Sequence, residues 1–545
     1  MKIRLSRLAA LLGAASLAAC GDPLSVSNKN VVDVTSAQQT QQGIEQIVGK
    51  SFQAIFVGQY ATGGAIWLQT LNMSLESSAS VANFGMGLRN AIPRIGIDNA
   101  RGNQTAVGTN RDFSIFTRLA RQNVNALRSL DNLAGATPAT TGRARAFGYF
   151  VLGYAMGNLA AIYDSAAILT PARTPEDTLF SAAVVNVQAL AMLDSAIAVA
   201  RGPGGANPQF PLPADFMTGS PIDTTQFIRM VRSYKAKFRV AVARTPAQRA
   251  AVDWEQVRGD AAAGITANLN VALDPTIGWN MEGSLVQLML FVGWHQMPAI
   301  VIGMADTTGA YASYLSQTLT ARNGANLLIR TPDRRFPVGE TRALQQNFQN
   351  DVVPAAGVYF RNRPSGADTP NGADPWSNSQ YDHFRFRAIR DANGSGSWVL
   401  MSLSEVQMLQ AEALMNLGRT AEAVPLINIS RVRNNLPAIL ASANSTDPVP
   451  GGNACVPRVP TPGVFTTIQC GSVFEAMKWE KRMETTLTGY AQWYLDSRGW
   501  GDLPQGTGTS WPVPFQELDS RSKPLYNGLT VSGPSTYGFG RSAGF

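Results

Sequence analysis

Residues 402–433, SLSEVQMLQAEALMNLGRTAEAVPLINISRVR, decide the fold class. The apolar residues Val406, Leu409, Ala413, Leu414 and Leu417 recur three and four positions apart. Gly418 interrupts the run, and Ala421, Ala423, Leu426 and Ile427 begin a second one. This pattern is a helical hairpin. The small residues Ala411, Ala413, Ala421 and Ala423 let two helices approach closely around a glycine turn, as in a tetratricopeptide-like pair. Pro425 lacks an N–H and clashes with the turn before it, so it is expected within the first turns of the second helix. A hairpin is architecture and specifies no activity.

Toward the N-terminus the same periodicity returns several times. Residues 44–80 carry Ile47, Phe52, Ile55, Phe56 and Tyr60 on one stripe, broken at Gly63 and Gly64, and residues 111–133 carry Phe113, Phe116, Leu119, Val124, Leu127 and Leu130. Residues 144–162 and 180–200 form a clear pair, jointed near Pro171 and Pro175, and residues 226–243 and 251–268 suggest a third. The last helix opens with Asp253, Trp254 and Glu255, where acidic groups suit the positive end of a helix. Helix pairs that cannot each bury an apolar face alone imply a stacked superhelix, although identity between pairs is too weak to define a repeat period.

The first residues carry an address. Lys2, Arg4 and Arg7 precede an apolar run over residues 8–17, too short for a permanent span, which ends in LAAC with Cys20 last. Small residues before a cysteine form a bacterial lipoprotein processing box, in which the thiol and the freed amine of Cys20 take acyl chains that together anchor stably. Gly21 follows the cysteine and Asp22 comes one place later, which favours the outer membrane. Residues 1–19 form the signal peptide and 20–42 the lipidated N-terminus and tether. Removing residues 1–19 takes away three positive charges and lowers the formal charge from +8 to +5, with no basic stripe, which argues against nucleic acid. No later run reads as a transmembrane span.

Between residues 274 and 393 the helical signal thins. Trp279, Trp294, Tyr311, Tyr314, Tyr359, Trp376 and Tyr381 are scattered among Gly, Pro, Asn and Asp. Polar loops with embedded rings on a rigid scaffold suit ligand binding, sugars above all, because sugar C–H faces stack on rings and hydroxyls need polar partners. The candidate ligand residues are Trp279, Asn280, Asp374, Trp376, Asn378 and Tyr381, with Trp67 next in line. Residues 381–389 alternate and are expected to form a short strand.

Beyond the hairpin, Arg431, Val432 and Arg433 lead to Leu436 and Pro437, and residues 473–503 read VFEAMKWEKRMETTLTGYAQWYLDSRGWGDL. These elements, in this order, resemble the SusD/RagB family of outer-membrane nutrient-binding lipoproteins. The first signature is Glu405, Ala411-Glu412-Ala413, Gly418, Asn428, Arg431, Arg433 and Leu436-Pro437. The second is Glu480, Arg482, Glu484, Gly489-Tyr490, Trp493, Asp496, Arg498, Trp500 and Gly501, followed by Pro512-Val513-Pro514 and Glu517. Lys481, between Glu480 and Arg482, departs from the pattern. So does the lack of an acidic run after Cys20.

The resemblance implies a mainly α fold of tetratricopeptide-like helical pairs in a right-handed superhelical scaffold over residues 43–273. A loop-rich SusD-like part follows over residues 274–545 and contains the further hairpin at 402–433. It also implies a surface lipoprotein that captures an oligosaccharide or peptide and passes it to a SusC-like TonB-dependent transporter. The motif charges themselves read as structural. Glu480 and Glu484 share one helix face, and Arg431 and Arg433 can hold carboxylates through forked bonds.

An enzyme is the weaker reading. Two histidines, His295 and His383, give few candidates for a metal cage or a hydrolase triad, and the phosphate, dinucleotide, nucleophile-elbow and zinc-helix motifs are absent from the sequence. Glu480 and Glu484 are the one carboxylate pair a glycosidase would use, but they lie in the packing motif. No cofactor, metal or catalytic residue is expected. The competing non-enzymatic reading is a tetratricopeptide-type assembly scaffold without a small ligand. Cys455 and Cys470 are the only thiols left once Cys20 is acylated. In an oxidising compartment they are expected to bridge, stabilising by about 3 kcal/mol at most, with two free thiols as the alternative.

Overall fold

Helix starts in the computed structural model, which describes residues 37–61, 65–79, 86–90, 93–103, 106–173, 178–205, 207–281, 295–322, 327–347, 357–363 and 379–538, follow the capping residues of the sequence. Ten helices carry the architecture: α1 Gln41–Gln59, α2 Ala106–Asn132, α3 Pro138–Ile162, α4 Ala182–Arg201, α5 Thr224–Ala241, α6 Trp254–Ala262, α7 Leu403–Asn416, α8 Thr420–Arg433, α9 Val473–Thr485 and α10 Gln492–Trp500. Thr137 and Asp223 close capping boxes at α3 and α5 with Thr140 and Gln226. Asp253, Ser402 and Ser472 each accept a backbone N–H of the first turn of α6, α7 and α9. Each cap is worth about 1 kcal/mol. Pro425 falls in the second turn of α8, where it forfeits one backbone bond.

Successive helices pack on one another, α2 on α3, α3 on α4, α4 on α5, α5 on α6, α6 on α7 and α7 on α8, giving a stack of helical pairs, with α1 laid across α2 and α3. Central α3 is buried almost all round. Close approach there depends on absent side chains. A Cβ on Gly153 would stand 2.6 Å from Leu193 and 2.9 Å from the Ala189 carbonyl of α4, and one on Gly157 would stand 2.6 Å from the Phe238 ring of α5. The sequence reading finds no span after the leader. By length and composition α4 in fact passes as one, but Val185, Ala189, Leu193 and Ala196 form its buried face in the stack.

Although α6 and α7 pack together, a long insert separates them in sequence. Its two ends pair as the antiparallel strands Leu269–Leu273 and Gly396–Met401. Helix α6 therefore stops at Ala262 rather than running to 268, since the residues after it turn into the stem strand. Likewise residues 381–389 give only the strand Tyr381–His383, paired with Phe360–Asn362, before a short helix Arg387–Asp391.

Three apolar clusters result. The largest fills the helical stack. The second lies under the insert and includes Trp479, Met483 and Trp493, and the third joins α7, α8 and the start of α9. Helix α9 serves both of the latter. Cys455 and Cys470 form a disulfide with Cα atoms 5.8 Å apart, beside the short strand pair Arg458–Pro460 and Ile468–Cys470. The chain after α10 returns across the molecule, where Trp511 N donates to the last carbonyl of α3 and Asn99 binds the backbone of Val513, Phe515 and Tyr526.

Candidate ligand groove on the stem of the insert

A groove of about 420 Å³ opens where the stem strands meet α5. Strand periodicity makes its floor. Along Leu269–Leu273 the residues Val271 and Leu273 turn into the core, while Asn270 and Ala272 face outward. Gln226, Arg229 and Met230 from the first turns of α5 form one wall, the loop through Thr218, Ser220 and Ile222 another, and Thr266 and Asn268 the third. Arg229 donates to the Thr266 hydroxyl at 3.0 Å and ties two walls together. Gly219, at φ +78, lets the loop cross the strand, since a Cβ there would stand 2.6 Å from that of Ala272. The lining mixes hydroxyls and amides, which both donate and accept, with the aliphatic surface of Ile222, Met230 and Ile265. That combination suits a many-hydroxyl ligand.

A second hollow of about 350 Å³ shares Asn268 with the first. Its other lining residues include Arg334, Tyr359, Arg385, Arg433, Ser402, Ser404 and Glu484. The Asn268 amide oxygen accepts from Leu403 N at 2.8 Å, which pins the strand's entrance to the start of α7.

Beneath these hollows α9 distributes buried charge to three sides. Glu480 and Glu484 meet Arg335 at 3.0 and 3.3 Å, with Arg431 3.7 Å from Glu480 and Arg433 2.7 Å from Glu484. Burial pushes the Glu484 carboxyl upward, but Arg335, Arg385 and Arg433 outweigh it and hold the group down at about 2. On another side Lys481 contacts Asp496 at 2.8 Å and Glu412 at 3.6 Å, and Arg249 grips Glu412 through two 2.7 Å bonds and Asp496 at 2.9 Å. Burial there is outweighed by Lys481 and Arg249, which hold Asp496 at about 2. On the third side Lys478 and Arg482 meet Asp502. Lys481, which breaks the motif pattern, is thus the ammonium between two motif carboxylates. Arg498 donates to the terminal carbonyls Ala161 of α3 and Ala241 of α5. These groups are scaffold, and the motif residues Glu412, Arg431, Glu480, Arg482, Trp493 and Asp496 are all buried.

Arg249 and Arg335 carry no sequence signal of their own, because the motif carboxylates they meet lie far away in sequence, and only those carboxylates hint that partners must exist. The histidines are also buried. His295 Nδ1 lies 2.7 Å from the Ser77 hydroxyl and His383 Nε2 3.1 Å from the Glu76 carbonyl, and burial depresses both rings to about 3. Burial raises Glu76 to about 8. Among the described residues there is no group of three or more His, Cys, Asp or Glu placed to hold a metal.

The sequence-predicted ligand rings need correction. Trp279 is 3% exposed and packs on Phe56 and Phe52 at 5.4 and 6.4 Å in the main core, with Asn280 half-buried beside it. Tyr381 is fully buried in the second core, its hydroxyl 2.7 Å from Gln345 and accepting from Ile329 N. The two rings lie in different cores and form no common platform. Turn-rich flanks suggested exposure, but the turns lead each ring inward. Trp67 is also buried, against Tyr60. Asp374, Trp376, Asn378 and Cys20 lie outside the described residues.

No family model matches the chain, and no curated protein matches it. Solved structures do share its architecture. A SusD superfamily protein from Bacteroides thetaiotaomicron VPI-5482 is 13% identical with a TM-score of 0.52, over 90% of this chain and 98% of that one. A SusD superfamily protein from Bacteroides vulgatus ATCC 8482 is 12% identical with a TM-score of 0.51, over 88% and 90%. A SusD homolog from Parabacteroides distasonis ATCC 8503 is 14% identical with a TM-score of 0.51, over 85% of both chains. Near-complete coverage in both directions, for helices stacked in pairs around a long insert, makes this the fold of SusD-superfamily proteins.

Proposed function

We propose that the chain is an outer-membrane lipoprotein, acylated at Cys20 and facing the cell exterior, that captures an oligosaccharide or peptide nutrient and hands it to a SusC-like TonB-dependent transporter. The observation that carries this reading is the SusD-superfamily fold over nearly the whole chain, joined to a leader that ends in LAAC. The groove between α5 and the stem strands supports capture rather than catalysis. It presents hydroxyl, amide and aliphatic surface, and the buried carboxylates of the motifs are engaged in holding helices together. Of the two cargo classes the lining favours an oligosaccharide.

The test has two arms. Affinity purification of the full chain from mildly solubilised outer membranes is expected to recover a large β-barrel protein in roughly equal amount. Calorimetric titration with neutral oligosaccharides is expected to show binding that Asn270→Trp, which fills the groove floor, abolishes without lowering the unfolding midpoint. Recovery of the chain alone counts against the transporter. Unchanged binding by Asn270→Trp removes the groove.

A further inference from the structure

The second hollow has a different chemistry from the groove it adjoins. Arg431 and Arg433 stand two residues apart in one motif, yet the structure separates them. Arg431 has a fully buried side chain, while that of Arg433 is 50% exposed and lines the hollow. Arg433 spends Nη2 on Glu484 at 2.7 Å and on the Ser404 hydroxyl at 3.3 Å, and among the described residues its Nε and Nη1 make no bond. Arg385 lies 4.4 Å over the Tyr359 ring and gives Nη1 to the carbonyls of Glu484 and Thr486, both neutral acceptors. The Glu484 carboxylate, the one acidic group of the lining, is already met by Arg335, Arg433, Asn434 and Tyr359. The N-terminus of the 14-residue helix α7 opens into the same hollow through Ser402 and Ser404 and adds its positive dipole end.

Resting on the capture reading above, we infer that this hollow is an anion subsite, built for the carboxylate of a uronic-acid residue in an oligosaccharide whose neutral sugars occupy the adjoining groove. Two guanidiniums with unspent N–H edges and a helix N-terminus converge on it, and a planar carboxylate matches a guanidinium fork. Asn268, common to both hollows, marks where the chain of sugars passes from one to the other. A glycan is favoured over a peptide because the groove offers hydroxyls and side-chain amides as paired donors and acceptors.

The experiment titrates the full chain with trigalacturonate and with its methyl ester, in low and in moderate salt. The free acid is expected to bind at least tenfold more tightly than the ester, with the advantage shrinking as salt rises. Arg433→Gln is expected to bring the acid down to the level of the ester, read as the ratio of the two affinities within that variant. Asn268→Asp keeps an acceptor for Leu403 N, so α7 stays capped, and adds a negative charge that is expected to weaken the acid more than the ester. Equal affinity of the wild type for acid and ester overturns the anion subsite and leaves the groove reading standing. Binding of neither overturns both. An acid preference that survives Arg433→Gln and Asn268→Asp places the anion elsewhere and overturns the assignment. A tripeptide with a free carboxylate that shows the Arg433 dependence when trigalacturonate does not overturns the choice of glycan.

Discussion

Replacing Arg249 by methionine removes one partner from a buried cluster and leaves the others in place. Arg249 makes two 2.7 Å bonds to Glu412 and a 2.9 Å bond to Asp496, its guanidinium lies 4.9 Å over the Trp500 ring, and it is 4% exposed. Without it, two buried carboxylates are left with the single Lys481 ammonium, the Trp500 indole N–H on Glu412 and the Gln492 amide on Asp496. Breaking a buried pair in this way costs about 3–5 kcal/mol, much of it the burden of the stranded charge rather than the lost attraction. Arg249→Met is therefore expected to lower stability by about 4 kcal/mol, read from urea unfolding followed by the fluorescence of the tryptophans around α9. Adding Glu412→Gln to Arg249→Met removes one stranded charge and is expected to recover at least about 1 kcal/mol, a coupling that a double-mutant cycle measures directly. A loss under about 1 kcal/mol for Arg249→Met, or strict additivity of the two substitutions, refutes the claim that this cluster clamps α7 to α10.

Two further outcomes are expected. Replacing Cys455 and Cys470 together by serine should lower the unfolding free energy by about 3 kcal/mol for a loop spanning a sequence separation of 15, and peptide mapping without reduction should recover the two cysteines in one linked fragment from the native chain. The pH profile should carry opposed contributions. His295 and His383 titrate near 3 in the fold, so unfolded chains take up protons first as pH falls below about 6.5, and each ring withdraws up to about 1.4 kcal/mol per pH unit until about 3. Glu76, raised to about 8, contributes stability that is full below about 4.5 and lost as pH rises through 8. Glu76→Gln should thus gain on the wild type steadily from pH 5 to 8, and a constant difference across that range would refute the assignment.

The helical pairs were legible because each is local. Periodicity marked α2 to α8, and Asp253 and Ser402 stand where a cap is needed, so a window of twenty residues held most of the information. The disulfide was legible by count, once Cys20 is set aside. The insert was not. Trp279 follows the stem strand at a turn, and only its meeting with Phe52 and Phe56 of α1 reveals that the turn points it inward. The groove was missed for a related reason. Thr218, Gln226, Thr266 and Asn270 are unremarkable individually, and they become a site only because the stem strand is laid against α5. Arg431 and Arg433 show the same limit at the scale of one motif: their spacing points them to different sides of the helix, but only the fold shows that Arg431 is fully buried and that the Arg433 side chain is half exposed.

The two-stranded stem has a consequence for how this architecture can change. The pairing of Leu269–Leu273 with Gly396–Met401 fixes the two ends of the excursion beside each other, while α6 meets α7 as though the intervening residues did not exist. Lengthening a flexible excursion whose ends are held costs little, about 0.6 kcal/mol for each doubling. Residues grafted into the exposed turns of that excursion, away from Trp279 and Arg335, which pack on α1 and α9, therefore leave the helical register untouched, and a lineage carrying this scaffold can exchange the surface shown there while the contacts among α1 to α8 are inherited.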